Sequence, residues 1–414
     1  MTTASLPAPR RRLRWGLLFA YSLLILSTLS LVRAARDWLT NALGEHGFTV
    51  SVWGLFAVVG VGLLVWAVRQ HTLRSPRRLI LLAAACGAYA CMILRLQVPV
   101  ERIHYLEYGL VAVLALRAFE VATRDTGAYV LACLYVMALG LVDESIQWLL
   151  PTRVGEFRDV SINLSAGILG LVLVVAARER PFVRVDRTSL ARVLRWSAWV
   201  VAGSAAFLTF IHGFGYVHHS SAHATFCSVF PPEAFEQVGR LPEAVAYREF
   251  PDSPVSDPGD GPSSWIRQRF LQWRRLRHPS AAAYNYEAWR HRQLRDALET
   301  PRYAQYREAL EEERILATFY RAYPGRYWVA WPDQQRREFA QIPFTEGPVY
   351  KSPVQALLIT WVRPQVFWVG SGTLAAGLLF VGLILGKSRA GTRAPSERSN
   401  SSTLLRSDAQ TDRS

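Results

Sequence analysis

Three short stretches of this chain set acids, amides and a histidine into otherwise apolar sequence at helical spacing. In ERIHYLEY, His104, Glu107 and Tyr108 stand at i, i+3 and i+4, which puts them on one helical face. In VDESIQWLLP, Asp143 and Gln147 share a face with Glu144 beside them, and in RDVSIN, Asp159 and Asn163 again stand at i, i+4. Arg102, Arg153 and Arg158 lie in the adjoining connections, where they can neutralise the acids or hold an anionic group bidentately. A histidine among carboxylates offers a general acid and a general base, with His104 and one of Asp143, Glu144 or Asp159 sharing the work. The same groups form a mixed nitrogen and oxygen ligand set, but one imidazole among oxygens is a weak metal pattern, so neither a metal nor another cofactor is expected.

The plain alternative is capping, with Asp159 opening a helix and Arg153 closing a hairpin on Glu144. Capping requires neither the histidine nor carboxylates one turn inside an apolar run. Charges are costly there unless they share a wet cavity or pair with one another, so a common polar site is the stronger expectation. The link from Pro151 to Arg158 is only eight residues, which forces Asp143, Gln147, Asp159 and Asn163 close together.

Apolar residues make up 51% of a chain that also carries 47 basic and 32 acidic groups, so the two kinds must be segregated along it. Uncharged runs at Trp15–Val32, Phe48–Val68, Leu79–Leu94, Trp196–Val217 and Pro364–Gly386 are near the ~20 residues that cross a hydrocarbon core. Ile103–Phe119, Thr126–Leu150 and Val160–Ala177 are as long and carry the polar groups near one end. The expected fold is therefore all-α, a polytopic membrane helix bundle of about eight spans with a mainly helical water-exposed domain.

Cytoplasmic loops carry the excess of Lys and Arg. With the N-terminus inside, sixteen arginines fall on the inner side of the first seven spans and six (Arg33, Arg36, Arg95, Arg102, Arg153 and Arg158) on the other. Lys387, Arg389, Arg393 and Arg398 after the last span agree with that placement. The net charge of +15 is mostly this topological signal, so no nucleic-acid partner is inferred. The first span reads as a retained signal anchor, since its apolar run is too long for a cleaved one. Cys86, Cys91 and Cys133 fall in spans and Cys227 outside, with no CxxC, and read as small buried hydrophobes.

Along the chain, residues 1–195 read as a six-span domain, 196–217 as a seventh span and 218–352 as an extracytoplasmic, mainly helical domain. Residues 353–386 hold the eighth span, and 387–414 form a disordered tail. Ser253–Ser264 reads as a loop from its Pro, Gly, Ser and Asp density. Ser264–Arg277, Tyr284–Leu298 and Arg302–Tyr320 read as helices, with Trp265 and Trp273 on a core-facing stripe rather than on lipid headgroups. His212, His218, His219 and His223 gather where the seventh span emerges, but no nearby acid or cysteine supports zinc, and a turn or interfacial anchor is the better reading.

The polar motifs resemble the VanZ-like family, named for an accessory protein of glycopeptide-resistance clusters. The resemblance rests on Arg102, His104 and Tyr108, then Asp143, Glu144 and Gln147, then Pro151, Arg153, Asp159, Asn163, Gly167 and Gly170, in that order and at the family's spacing. It departs at Thr152, where the family usually has Gly, and at Glu156, where a small residue is common. The resemblance implies a function in the bacterial envelope related to teicoplanin resistance and gives no role to residues 196–386.

Three functions compete at this point. The first is an outward-facing polar site on spans four to six that binds or acts on an amphiphilic envelope molecule, such as a lipid-linked glycan or a lipoglycopeptide. The second is a transporter or proton relay, and the third a non-catalytic envelope scaffold with membrane lipids as its surroundings.

Overall fold

The computed structural model describes residues 8–29, 31, 38–39, 41–44, 46–69, 75–96, 99–121, 123, 125–150, 155–177, 186–238, 266, 270, 273, 279–300, 305–321, 331–341 and 349–387. Seven long helices come first: α1 (Ala8–Thr28), α2 (Gly47–Arg69), α3 (Pro76–Arg95), α4 (Pro99–Phe119), α5 (Gly127–Leu149), α6 (Phe157–Ala177) and α7 (Arg187–Phe207). Prolines stand at the first positions of α3 and α4, where a missing N–H costs nothing. Six helices are long and apolar enough to cross a membrane: α2, α3, α5, α6, α7 with the turn that extends it, and the final α12 (Pro364–Lys387). The chain is thus a mostly helical, multi-pass membrane protein. Helix α1 opens with Arg10, Arg11, Arg12 and Arg14, and α4 carries Glu101, Arg102, Glu107 and Arg117, which sets both apart from the purely apolar helices.

Helix α4 is the centre of the bundle. Its Tyr105, Tyr108, Val111, Ala112, Ala115 and Leu116 are buried, and it packs on α6, α5, α1 and α2. Small residues let helices approach in a membrane, where there is little hydrophobic drive between them. A β-carbon added at Gly170 of α6 would lie 2.8 Å from the Gly109 carbonyl oxygen, so the two backbones touch there. Helix α7 packs on α5 and along α12, while α2 and α12 turn Val58, Leu64, Val369 and Phe380 outward, as a lipid environment requires.

At one end of the bundle, buried Asp125 takes hydrogen bonds from the Gly127 and Asp186 backbone N–H groups (2.9 and 2.7 Å) and from the Ser189 hydroxyl (2.8 Å). A single carboxylate therefore satisfies N–H groups at the starts of α5 and α7. At the opposite end, α7 runs into a π-helical turn, Leu208–His212, and stops at Gly213, whose φ of 92° suits glycine.

The expected seventh span, 196–217, is shifted. The helix begins at Arg187, nine residues before the uncharged run, and Val217 lies in a strand. Between α7 and α12 lies an insert built on β1 (Tyr216–Ser221), β2 (Ala224–Ser228), α8 (Pro232–Val238), α9 (Ala281–Glu299), α10 (Tyr306–Phe319), α11 (Asp333–Ala340) and β3 (Tyr350–Lys351). The sheet was not expected. Strands β1 and β2 pair antiparallel with Val217 opposite Cys227, and β3 joins β2 in parallel with Ala224 opposite Tyr350.

Helices α9 and α10 fall where Tyr284–Leu298 and Arg302–Tyr320 were expected, and the Ser280 hydroxyl caps α9 by accepting from Ala283 N–H at 3.2 Å. An aromatic core of Phe226, Phe230, Phe235, Tyr284 and Tyr320 joins sheet to helices. Trp273 donates to the Phe210 carbonyl and packs on its ring, while Ile266 and Phe270 of the same stretch are exposed. Trp265, Arg153, the Ser253–Ser264 loop and residues 388–414 lie outside the described residues.

Candidate functional site

The polar cluster assembles where α4 begins, α5 ends and α6 begins. The Tyr108 hydroxyl, fully buried, donates to Asp143 Oδ2 at 2.6 Å and joins α4 to α5. Gln147 Nε2 donates to Asp143 Oδ1 at 3.2 Å and to Glu144 Oε1 at 2.9 Å. Glu144 Oε2 in turn accepts from the Glu156 backbone N–H at 3.0 Å, which fixes the entry to α6. Asp143 and Glu144 are both 0% exposed, although they are consecutive residues of one helix. They can both be buried because α4 and the loop into α6 cover α5 from two sides. Gly155 makes that cover possible: a β-carbon there would fall 2.3 Å from the Glu144 carbonyl oxygen.

His104 sits at the rim, with Nδ1 3.4 Å from Glu107 Oε2, ion-pair distance without hydrogen-bond geometry. Its ring centroid is 6.0 Å from that of Tyr108. The hydrogen-bonded link from α4 to Asp143 therefore runs through Tyr108 and not through His104. Arg102 does not face the acids. Its Nε and Nη2 donate to the Leu96 carbonyl (3.2 and 2.8 Å), and its guanidinium lies over the Trp53 ring at 5.4 Å. Arg158 Nη1 is 3.8 Å from Asp159 Oδ1, an ion pair with a largely exposed partner. Asn163 is 0% exposed, and among the described residues neither its Oδ1 nor its Nδ2 has a hydrogen-bond partner, one turn below the carboxylates and facing Gly140.

Of the ten residues singled out in the sequence, Tyr108, Asp143, Glu144 and Gln147 form one hydrogen-bonded unit. His104 and Glu107 flank it, Asn163 lies beneath it, and Asp159 pairs with its neighbour at the α6 start. Arg102 turns away. Chemically, two buried carboxylates whose partners among the described residues are all neutral donors form a site rich in acceptors. General acid–base work would fall to His104 and Glu107 at the rim. Among the described residues, no three His, Cys, Asp or Glu side chains are grouped to hold a metal ion.

A second polar network, which no local motif announces, lies in the insert. Helix α9 presents Glu287, His291 and Arg295 inward at four-residue intervals, and α10 buries three successive acids, Glu311, Glu312 and Glu313. Successive helical residues point about 100° apart, so each acid finds a different neighbour. Glu311 accepts from Ser221 (3.0 Å) and pairs with Arg314 (2.6 Å). Glu312 meets His291 Nδ1 at 2.6 Å and the Tyr350 hydroxyl at 2.7 Å. Glu313 meets Arg295 at 2.7 Å, Arg336 at 3.1 Å and the Trp331 N–H at 3.0 Å.

Glu287 accepts from Ser228, Tyr320 and the Val229 N–H, at 2.6, 2.7 and 3.1 Å. Burial pushes its carboxyl above the usual range, and those donors pull it partly back. Burial, then the adjacent Glu287, pushes the Tyr320 hydroxyl well above its ordinary value. The histidines at the span exit are dispersed rather than clustered: His218 stacks on Phe226 and bonds the Phe230 carbonyl, while His212 contacts α6.

An apolar cavity of about 790 Å³ opens between α5, α7 and α12, lined by Leu141, Trp196, Trp199, Gly203, Phe210 and Trp368 among others. It faces away from the carboxylates, on the other side of α5.

These features define a class, the multi-pass helical membrane protein with a buried polar cluster at one end of its bundle. Comparison with models of known protein families, with characterised proteins and with solved structures gave no match to this chain.

Proposed function

We propose that this is a VanZ-like protein of the bacterial cytoplasmic membrane whose polar cluster binds the polar part of an amphiphilic envelope molecule. That molecule is a lipid-linked glycan or a lipoglycopeptide of the teicoplanin type. In this reading α1 and α4 also span, giving eight spans with both ends cytoplasmic and the insert outside. The support for a common face is that Phe157, at the start of α6, and His212, at the end of α7, are hydrogen-bonded. The cluster and the insert therefore share one end of the bundle.

The observation that carries the binding reading is a surplus of acceptors. Asp143 and Glu144 are fully buried and, among the described residues, are held by a hydroxyl, an amide and a backbone N–H with no arginine or lysine on them, while Asn163 has no described partner for either polar atom. Such a site suits a ligand rich in O–H and N–H donors, as sugars and peptides are. The transport reading has less support, because the layer beneath Asn163 is apolar: Val111, Ala112, Leu116, Val136 and Ala166 are all buried there.

The test replaces Asp143→Asn, Glu144→Gln and Asp159→Asn separately and follows membrane abundance together with teicoplanin sensitivity in a host lacking the chain. Normal abundance with loss of resistance in the first two supports the site. Resistance and abundance unchanged in all three would end the proposal.

A further inference from the structure

His212 is the last residue of the π-helical turn that ends α7, and its two ring nitrogens are spent on two other parts of the molecule. Nε2 accepts from the Phe157 backbone N–H at 3.1 Å, and Nδ1 lies 2.8 Å from the Leu357 carbonyl oxygen. A carbonyl can only accept and a backbone N–H can only donate, so the ring must carry its proton on Nδ1 and leave Nε2 bare. The geometry demands a neutral imidazole. A protonated one has two N–H groups and cannot accept from Phe157.

Phe157 opens α6, the helix that brings Asp159 and Asn163 to the polar cluster. The preceding amide, Glu156 N–H, is held by Glu144. Two consecutive N–H groups at the start of α6 are thus gripped by two titratable side chains from different helices, Glu144 of α5 and His212 of α7. The Leu357 carbonyl belongs to the stretch that closes the insert before α12, where Ile359 N–H donates to the Gly213 carbonyl at 2.8 Å. One imidazole therefore joins the cluster, the end of α7 and the base of the insert.

We propose that His212 is a pH-sensitive positioning residue, which ties the start of α6 to the base of the insert while neutral and releases α6 when protonated. The inference goes beyond ligand binding, because it concerns how α6 is held whatever the cluster binds. The titratable and charged groups on the elements around it are Glu144 on α5, Glu156, Arg158 and Asp159 at the start of α6, and Tyr350, Lys351 and Arg363 in the stretch before α12. No described acid or base stands at ion-pair distance from the ring, whose nearest aromatic neighbour is Phe207 at 5.9 Å. Glu144 is the group that could imitate the effect, since it holds the neighbouring amide, and the experiment separates the two.

The experiment is hydrogen exchange of the full chain in lipid nanodiscs, read on the peptide that starts at residue 155 and corrected for intrinsic chemical exchange. Between about pH 8 and pH 5, which brackets histidine titration, protection of this peptide should fall about tenfold, the size of one lost hydrogen bond. His212→Gln keeps an acceptor and a donor in similar places but does not titrate, so its protection should stay high at both pH values. His212→Leu should be low at both. Wild-type protection that ignores pH would overturn the proposal. So would a pH dependence that persists in His212→Gln and disappears only when Glu144→Gln is added, since that assigns the switch to Glu144. Ligand binding is not read, so failure here leaves the proposed function standing and the reverse.

Discussion

Among the described residues, the polar cluster around Asp143 in the bundle and the acidic network of the insert are built on opposite rules. In the insert, the four buried acids Glu287, Glu311, Glu312 and Glu313 are matched by Arg295, Arg314, Arg336 and His291 or by several hydroxyl and N–H donors. In the bundle, Asp143 and Glu144 have no described arginine or lysine on them, and Asn163 has no described hydrogen-bond partner. Matched networks fix a core, whereas unmatched ones hold capacity for something else. The difference shows how the insert can bury its charges, and it is what the proposed binding reading of the cluster rests on.

Substitutions can break this comparison. The largest effect is expected for Arg295→Ala, which takes the shorter ion pair from Glu313 and leaves it Arg336 and the Trp331 N–H: breaking a buried pair costs up to about 3–5 kcal/mol. Unfolding of the insert followed through Trp289 and Trp331 fluorescence would register it, and an unchanged midpoint would mean that the pair contributes nothing. Glu287→Gln should cost about 1–3 kcal/mol by spoiling a site with three donors, measured the same way.

In the bundle, Asn163→Leu should be neutral or stabilising within about 1 kcal/mol, because an unpartnered buried amide is itself a cost, while ligand retention falls. Strong destabilisation would make the cluster an ordinary core. The smallest effect concerns His218. Burial holds its imidazole below the ordinary 6.5, partly offset by the Phe230 carbonyl. A lowered histidine contributes stability that is complete above 6.5 and is lost as pH falls through its folded value. The insert should therefore soften slightly between about pH 7 and pH 5, and His218→Gln should flatten that slope.

Much of the bundle was legible because apolar runs bounded by charge leave little freedom in a membrane. The hairpin α5–α6 followed from its short link, and its polar face from four-residue spacing. What was not legible depended on contacts between distant residues. Asp125 joins α5 to α7 over sixty-odd positions, at Asp186 and Ser189, and nothing local marks it. The GluGluGlu run in α10 reads as a solvated face, yet each acid is buried because a different element covers each direction. The position of Arg102 in the loop suggests a partner for the acids, but the carbonyl of Leu96 at the end of α3 takes its guanidinium instead. The strands were missed because HisHisSerSer has no alternation of apolar and polar residues to signal β-structure.

The base of the insert has an engineering consequence. Gly215 N–H donates to the Ile359 carbonyl and Ile359 N–H to the Gly213 carbonyl, at 3.1 and 2.8 Å, so the chain leaves the bundle and re-enters it at adjoining points. Phe214 and Phe367, 5.6 Å apart, continue that seam into α12. The insert is thus removable in principle: a short turn joining 213 to 360 would close the gap without moving α7 or α12. Conversely, the same two stems would accept a foreign domain whose ends lie as close together.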